Sequence, residues 1–426
     1  MRVAPKREPS GSALIVTVVT TGILGIMLAA FVKLAEFQNH ITARSHAWNA
    51  ALPLAEAGVE EALTHLYHVD RGDLATNGWI RFGASWTRTR TNENLRIAMV
   101  ISNAAQPVVY SRGGSRIVGR DHAFVERTVR VRTRREALFS KAIVAKEDIT
   151  LNGNNILVDS FDSLDPAHSS GGLYDSAKRK NNGDIATNSS VRNALDTGNA
   201  NIYGRVSTGP GGSVEIGPNG KVGNLAWQAA STAKGIQPGW STDDMNVLFP
   251  TVEPPYNHGI APLIIGGDYV ISKSGDYALQ ELKRPLIVKS AVRARLFVRD
   301  AIELSGSDRI EIEPGARLSL YMAGEKASIR GNGVVNRTGN AANFIYRGTR
   351  SNRSVEIAGN GSFTGVIYAP EADLRLDGSG STVMDVVGAA VSRTTVLNGR
   401  FQFHYDENLA RLFRERPFVV VNWEEL

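Results

Sequence analysis

The amino-acid sequence predicts an α+β protein: a long N-terminal helix, a small antiparallel sheet, and a larger β-rich domain that we interpret as a β-solenoid. Three observations support this class. An uncharged stretch over residues 13–32 continues into an apolar stripe at helical spacing. Three strand patterns follow between residues 94 and 135. Beyond residue 142, short apolar strands alternate with recurring glycine-containing turns.

The uncharged stretch is long enough to cross a membrane. Twenty helical residues with a rise of about 1.5 Å each span about 30 Å, the hydrocarbon thickness of a bilayer. Basic residues precede it, and such flanks remain in the cytoplasm. We therefore predict a single pass through the inner (cytoplasmic) membrane, with the N-terminus in the cytoplasm and the bulk of the chain periplasmic or extracellular. The membrane helix includes Ala13, Val16, Leu24 and Val32.

Three interpretations of this N-terminus remain open: a cleaved secretory signal, an ordinary membrane anchor, and a leader that is cut while the apolar helix is kept. A cleaved signal has an apolar core of about 7–15 residues and a small-residue cleavage site. Here the apolar run is longer, and residues 33–37 continue the helix without a turn-rich region.

Two segments resemble minor pilins of the type IV pilus assembly family. One is residues 11–16, Gly-Ser-Ala-Leu-Ile-Val, and the other is residues 54–63, Leu-Ala-Glu-Ala-Gly-Val-Glu-Glu-Ala-Leu. The resemblance implies that residues 1–11 are a leader, cut between Gly11 and Ser12. It also implies partners: other pilin-like subunits and the assembly machinery in the membrane. Major pilins carry Glu at the fifth mature position, where this chain has Val16, and that departure bears on its incorporation into a filament.

The helical pattern predicts one helix over residues 12–68, kinked at Pro53, because proline removes a backbone hydrogen bond. The apolar stripe beyond Lys33 must pack on something, and the next segment is the nearest candidate. Residues 69–138 are assigned to an antiparallel sheet, with strands over 95–101, 107–118 and 123–133. A long helix followed by such a sheet is also the plan that the pilin resemblance implies.

Recurring glycine turns define the larger domain, residues 139–410. Short strands with turns at a near-fixed period are typical of a solenoid, although a sandwich also has many short strands. Prolines interrupt the pattern at about 239–285, which predicts an extended crossing segment, and residues 411–426 are assigned to a C-terminal tail. The turn glycines are Gly153, Gly306, Gly359, Gly378 and Gly399.

This domain has a resemblance of its own. Residues 139–153, 365–372 and 397–407 resemble an uncharacterised domain found behind pilin-like leaders in bacteria and, more distantly, the polymer-forming bactofilins. The match implies architecture and no defined activity. Its C-terminal motif includes Phe403, His404, Tyr405, Asp406 and Glu407.

Composition excludes several functions. The chain has no cysteine, which excludes disulfides, thiolate catalysis and cysteine-based zinc sites. Residues 70–136 contain 13 Arg, no Lys and six acidic residues. Arginines alternate along residues 127–134, which indicates a strand with one solvated charged face. No aromatic residues interleave with them, as a nucleic-acid stacking platform would need, so no nucleic-acid partner is expected.

No catalytic, cofactor-binding or metal-binding residue is assigned. His65, His68 and Asp70 could form part of a metal site, but a helix end explains them, and a site needs more ligands. A solvated turn explains the acidic residues Asp159, Asp162 and Asp165 better than calcium does. The most enzyme-like cluster is His404, Asp406 and Glu407, for which a cap on the last solenoid rung is preferred, followed by a helix over residues 408–414.

The expected function is structural: a minor-pilin-like envelope protein that assembles through its helix into a type IV pilus or a type II secretion-like pseudopilus and displays its β domain outside. The alternatives are a membrane-tethered β-helical enzyme acting on polysaccharides, and a self-polymerising scaffold or adhesin. A surface glycan or self-association would then be the additional contact. Clustered carboxylates in a groove would favour the enzyme.

Overall fold

The computed structural model describes residues 12–68, 71–104, 106–120, 122–135, 137–153, 156–230, 232–358, 363–378, 383–412 and 418–426. The chain divides into two compact units. The first comprises residues 1–136 with 417–426, and the second comprises residues 137–416. A long N-terminal helix, an antiparallel sheet and parallel sheets are present, which confirms the predicted α+β class.

The first unit begins with α1, Ser12–His68, which coincides with the predicted helix and continues through Pro53. A 3₁₀ turn over Arg71–Asn77 leads into the sheet. Strands β3 to β5 correspond to the three strand patterns, whereas β1 and β2 lie in a segment without a predicted strand. The strands are β1 Ile80–Phe82, β2 Ser85–Thr91, β3 Leu95–Ser102, β4 Val108–Arg116 and β5 Phe124–Arg135.

The second unit is a β-solenoid closed by parallel, in-register strand pairs. It also holds short helices, α2 Leu225–Gln228 and α3 Leu409–Leu412, and 3₁₀ turns at Ser176–Lys178 and Ala341–Asn343. Its strands are β6 Ile143–Ala145, β7 Ile149–Asn152, β8 Leu157–Phe161, β9 Ile185–Thr187, β10 Leu195–Asp196, β11 Asn201–Ile202, β12 Val206–Ser207, β13 Val214–Glu215, β14 Lys221–Val222, β15 Gly235–Ile236, β16 Ser241–Thr242, β17 Leu263–Ile265, β18 Asp268–Ile271, β19 Gly275–Leu282, β20 Leu286–Val288, β21 Arg293–Leu304, β22 Ile310–Ile312, β23 Arg317–Met322, β24 Lys326–Ile329, β25 Val334–Asn336, β26 Phe344–Gly348, β27 Ser354–Ala358, β28 Phe363–Gly378, β29 Met384–Gly399 and β30 Phe401–Asp406.

The chain enters this solenoid in the middle of the stack. Strands β6, β7 and β8 pair with β9, β10 and β11 on one side. On the other side they pair with β29 and β30, which come near the end of the unit. We term this second contact the seam. The solenoid therefore consists of two half-stacks, one built from β6 to β16 and one from β18 to β30.

A column of buried side chains runs through both half-stacks. Its members occupy matching register positions on successive strands, and each is at most 1% exposed. Burial of each leucine or isoleucine among them contributes about 1.5–3 kcal/mol. The column crosses the seam between Ala390 and Ile143: Leu296, Leu320, Tyr346, Ile367, Ala390, Ile143 and Ile185.

Residues 243–262 connect the two half-stacks and hold no described strand. The connection contacts several rungs on its way. The side-chain amide of Asn188 binds the carbonyl of Val247 at 2.6 Å, and the Tyr368 hydroxyl donates to the carbonyl of Pro250 at 2.7 Å. Ile260 then forms a bridge with Tyr277 on β19. The extended crossing segment predicted at about 239–285 is therefore shorter than expected, a strap over residues 243–262, because β17, β18 and β19 occupy residues 263–282.

The last described strand, β31 Phe418–Glu425, belongs to the first unit. It pairs antiparallel with β5, so the sheet order within the described residues is β1-β2-β3-β4-β5-β31. Glu424 and Glu425 bind Arg130 and Arg127 of β5. The assignment of residues 411–426 to a tail therefore differs from the structure, because a terminal strand whose partner lies almost 300 residues away leaves no local pairing signal.

One face of α1 packs on this sheet. Ala51, Ala55 and Ala62 are fully buried, and Gly58 faces β3 and β4 so closely that a Cβ there would lie 2.2 Å from the Ser111 hydroxyl. Gly113 on β4 lies against the helix backbone itself, since a Cβ there would lie 2.3 Å from the carbonyl oxygen of Ala51. Small residues on both elements therefore set the helix-to-sheet distance.

We predict that Gly113→Ala destabilises the first unit by about 1–3 kcal/mol, the cost of overpacking a tight interface. The clash is with helix backbone, which cannot rotate away as a side chain could. Gly114→Ala is the matched control, because its Cβ would meet the flexible Glu126 side chain at 3.3 Å. Thermal unfolding of the full chain in neutral detergent measures both, and equal midpoints for the two variants would contradict the prediction.

Candidate functional site

The first part of α1 exposes apolar side chains all round its circumference. All of residues 13–32 are exposed; Leu14 and Ile26 are each 73% exposed, and Leu24 is 65% exposed. In the described part of the chain, α1 is the helix that is long and apolar enough to cross a membrane. A surface of this kind is stable only against hydrocarbon or other apolar helices. We term residues 13–32 the apolar helix segment.

The hydroxyls of three threonines in this segment form hydrogen bonds within the helix. The hydroxyls of Thr17, Thr20 and Thr21 donate to carbonyls one turn earlier, those of Ala13, Val16 and Thr17, at 2.7–2.8 Å. Hydrogen bonds within the helix are the arrangement that hydrocarbon requires, since no water is available there. The hydroxyls therefore do not oppose insertion of the segment.

The apolar surface continues along α1 beyond the segment. Leu34, Phe37, Ile41 and Trp48 lie on one face and are 49–62% exposed. The prediction that the apolar stripe packs on the following sheet applies from Leu52 to Leu66 and not to these four residues, which we term the exposed stripe. Trp48 also lies under the Arg127 guanidinium, 4.9 Å from the ring centroid. The exposed stripe thus extends the exposed apolar surface of α1 beyond the apolar helix segment.

The predicted leader junction is only partly described. Ser12 is the first residue of α1, whereas Gly11 lies outside the described residues. Val16 occupies the position where the pilin resemblance implies a carboxylate. The first charged side chains that follow are Lys33 and Glu36, paired on the helix surface at 3.5 Å. The apolar helix segment therefore contains no charged side chain.

The C-terminal motif lies at the seam. The register pairs His404 with Asp159, and His404 Nδ1 lies 2.6 Å from Asp159 Oδ1. The Tyr174 hydroxyl donates to Asp159 Oδ2 at 2.7 Å, and its ring stacks on the imidazole with centroids 3.5 Å apart. Asp385 lies 3.1 Å from His404 Nε2, within range of charge attraction but misaligned for a hydrogen bond. We term these four residues the seam network.

Charge within the seam network favours the imidazolium form of His404. Burial alone would lower the pKa of His404, but hydrogen bonding to Asp159 and the attraction of Asp385 outweigh burial and raise that pKa. Burial, reinforced by Asp159, raises the pKa of Tyr174 far above its usual value, so the phenol keeps its proton and donates. His404 has no exposed side-chain surface, so the network acts as a structural tie across the seam.

The rest of the motif anchors the polar loop that follows β8. Asp406 accepts from the backbone N–H groups of Ser163 and Asn408, both at 3.1 Å, and its burial raises its pKa. The helix expected over residues 408–414 is described as α3, Leu409–Leu412, and Arg411 on it forms a fork on Asp162. The other members of the motif make different contacts. Glu407 forms an ion pair with Lys180 at 2.5 Å, and the Tyr405 hydroxyl donates to the carbonyl of Phe139 at 2.8 Å. Phe403 lies in the hydrophobic core.

The turn glycines serve two different purposes. Gly306 and Gly399 have positive φ, 60° and 92°, the conformation expected at solenoid corners. Gly153 and Gly378 instead allow close approach of the neighbouring rung. A Cβ on Gly153 would lie 2.0 Å from the Gly399 carbonyl oxygen, and one on Gly378 would lie 2.7 Å from that of Arg400. Gly359 lies outside the described residues.

The next candidate is the helix end that carries His65, His68 and Asp70. His65 Nδ1 accepts from the Trp79 indole N–H at 3.0 Å, and burial followed by the charge of Arg88 lowers the His65 pKa. The side chains of His68 and Asp70 lie outside the described set. Among described residues, no set of three or more His, Asp or Glu side chains is arranged to hold a metal ion. Tyr174 and Asp385 of the seam network had no sequence signal, because only the folded loop after β8 and the pairing of β29 with β30 bring them to His404.

We predict that the solenoid loses stability as the pH rises above about 6.5. A raised His404 pKa means that the folded state binds this proton more tightly than the unfolded state, whose pKa is about 6.5. The stabilisation is complete below that pH and is lost as the pH rises through the folded-state pKa. The unfolding midpoint of the full chain in neutral detergent, measured between pH 6 and pH 9, should therefore fall.

Asp385→Asn provides the matched comparison. Asp385 is half exposed, so the change removes a charge near His404 without creating a cavity in the core. The pH-dependent fall should shrink in this variant, and the contribution of His65 in the first unit cancels when the two proteins are compared. An identical pH dependence in both proteins would show that His404 is not the titrating group.

Comparisons with known proteins give limited information. A family profile described as "Domain of unknown function (DUF7305)" matches residues 267–412, from the start of the second half-stack to α3. No curated protein matches the chain. One similar solved structure is the competence-associated pilin ComZ from Thermus thermophilus, with 12% identity, 89% of this chain and 98% of that chain covered, and a TM-score of 0.27. Another is the DUF3494 domain of Shewanella frigidimarina ice-binding protein_1, with 13% identity, 64% and 99% covered, and a TM-score of 0.22. The resemblance to bactofilins receives no support from these comparisons.

Proposed function

We propose that this protein is a minor-pilin-like structural subunit of the cell envelope. Its helix would join other pilin-like helices in a type IV pilus or a type II secretion-like pseudopilus, with the solenoid displayed outside. The observation that supports this most directly is the division of α1 into two parts. Ala47 to Leu66 include the residues that pack on the subunit's own sheet, whereas the apolar helix segment, residues 13–32, is exposed along its whole length.

The composition of the apolar helix segment suits helix-to-helix packing. Gly22 and Gly25 lie in open space, since a Cβ on either would meet no atom within 4 Å. Small residues let helices approach closely in a membrane, where dispersion contacts drive association. A plain anchor needs only hydrophobic length, so small residues together with the exposed stripe favour assembly over simple tethering.

The enzyme alternative finds less support in the solenoid. A polysaccharide lyase or hydrolase of this architecture would use clustered carboxylates in a groove. A groove of about 440 Å³ on the second half-stack is lined by four arginines, and Asp276 is the acidic residue in its lining. Arg295 holds that carboxylate in two hydrogen bonds, at 2.7 and 2.5 Å. Such a lining suits binding better than hydrolysis.

We predict that the mature chain begins at Ser12, because a basic segment ending in Gly11 precedes an apolar helix that continues without a break. N-terminal sequencing of the native membrane protein tests this. Gly11→Leu should leave the precursor uncut, whereas Gly22→Leu, the same change inside the exposed helix, should still be processed. An intact Met1, or a cut near Phe31, would contradict the pilin-like leader.

We also predict that a photoreactive residue at Leu24 captures another apolar-helix subunit in the native membrane. Leu24 is 65% exposed at the middle of the apolar helix segment. The same photoreactive residue at Val191, 64% exposed on the solenoid, is the control and should not capture that subunit. Lipid adducts as the sole products at Leu24 would favour a plain anchor.

A further inference from the structure

The second half-stack begins with an exposed apolar edge. Strand β17, Leu263–Ile265, is the outermost strand of the sheet β17-β18-β20-β22-β25. Its three side chains are 57–59% exposed, and Ile260, which forms the bridge with β19, is 68% exposed. Residues 259–267, Gly-Ile-Ala-Pro-Leu-Ile-Ile-Gly-Gly, carry no charge. We term residues 260–265 the apolar end of the solenoid.

The opposite end of the solenoid, formed by β13, β15 and β16, has a polar surface. Its exposed side chains include Lys234, Asp243 and Asp244. As far as the structure describes residues 211–247, they expose no large apolar side chain. A polar outer face keeps the terminal repeat of a solenoid soluble. The apolar end has no such face, so it is the end at which a partner would bury apolar surface.

The turn after β17 determines which backbone groups of this edge are free. Residues 266–267 are glycines with φ of 62° and 94°, the two positive values of a type I′ turn, and they join β17 to β18. From such a turn, hydrogen-bonded and non-hydrogen-bonded pairs alternate along the hairpin. Leu263 and Ile265 therefore bond to β18, whereas the N–H and C=O of Ile264 point away from it. Tyr269, the partner of Ile264 on β18, donates its own N–H in the opposite direction, to the segment before β20 at 2.8 Å.

Ile264 is thus the residue of β17 that can exchange backbone hydrogen bonds with a further strand. When that strand is an antiparallel β17 from a second copy, each Ile264 must face its own counterpart, and a two-fold axis passes between them. Each Leu263 then lies opposite the Ile265 of the other copy. This is a non-hydrogen-bonded position, where the side chains of two strands are closest. The contact is self-complementary, because apolar side chains meet apolar side chains at both symmetric positions.

Charge does not oppose this pairing. Residues 261–267 of one copy face the same seven residues of the other copy in reverse order, and none of them is charged. Like charges directly opposite each other destabilise paired strands, and lysine on an edge strand prevents such pairing. Pro262 limits the length of the ladder, because it has no N–H to donate. The contact between copies is therefore short and has a single register.

We propose that the apolar end is a dimerisation surface, on which β17 pairs antiparallel with β17 of a second copy of this chain about a two-fold axis at Ile264. The two sheets β17-β18-β20-β22-β25 then join into one. Head-to-tail polymerisation through both ends is not expected, because the opposite end presents Lys234, Asp243 and Asp244. The inference goes beyond the proposed function, which depends on α1, and each can fail without the other.

An introduced cysteine tests the contact, because the chain has none of its own. Ile264→Cys places both thiols beside the two-fold axis, where paired Cα atoms lie about 5.5 Å apart, within the range of a disulfide. Ile260→Cys is the matched control, since it is also apolar and exposed. It lies four positions from the axis in each copy, so the two thiols are more than about 20 Å apart along the strand direction. Mild oxidation of the full chain in neutral detergent should yield a covalent dimer with Ile264→Cys and essentially none with Ile260→Cys.

A second substitution tests the side-chain contact. Leu263→Lys, added to the Ile264→Cys chain, places a lysine opposite Ile265 at both symmetric positions, so covalent dimer formation should fall about 10-fold with the loss of two cross-strand contacts. Leu263 is 58% exposed, so the unfolding midpoint should not change, which separates a lost contact from a lost fold. Val191→Lys, at a 64% exposed position on the other half-stack, is the control and should leave dimer formation unchanged.

Four results would overturn the proposal. Equal cross-linking of Ile264→Cys and Ile260→Cys would indicate unspecific apolar contact, and no covalent dimer with Ile264→Cys would show that the two strands do not pair. A mixed dimer of Ile264→Cys and Lys234→Cys chains as the main product would indicate head-to-tail stacking. A photoreactive residue at position 264 that captures a different protein in the native membrane, in preference to a second copy, would assign the apolar end to that protein.

Discussion

The second unit depends on one contact between strands that are far apart in the chain. At the seam, β29 and β30 pair with β6, β7 and β8, and the residues of the pair His404 and Asp159 are 245 positions apart. Closing so long a loop costs conformational entropy. A slip of one residue would turn every apolar side chain of the strand outward. Buried contacts and the imidazole–carboxylate pair together specify a single register.

The seam also explains the strap. The first half-stack extends away from the seam in one direction. The chain must therefore run back past the seam to the far end of the solenoid, because the second half-stack is built from that end toward the seam. Residues 243–262 make that return as an extended segment, and prolines suit them to it, since proline cannot donate to a sheet. Tyr256 fixes the far end of the strap through hydrogen bonds to the carbonyls of Tyr277 and Arg295.

Local patterns predicted the local structure. The bounds of α1, the strands β3 to β5 and the solenoid character of the larger unit all follow from periodicity and turn residues. Pairing between distant segments did not follow, because periodicity carries no information about partners. That is why β31, the mid-stack start and the seam network were missed. Turn residues also do not reveal what each glycine does: Gly378 is needed for close approach to Arg400 and not for positive φ.

The return of the chain to the first unit has a consequence for the order of synthesis. The ribosome makes β5 before the solenoid and β31 after it, so the first sheet keeps an open edge while some 280 residues are added. An open edge is a template for unwanted pairing with other chains. Arg127, Arg130, Arg132 and Arg134 place positive charge along that edge until Glu424 and Glu425 arrive. The arginine run thus protects the unfinished sheet against association with other nascent chains.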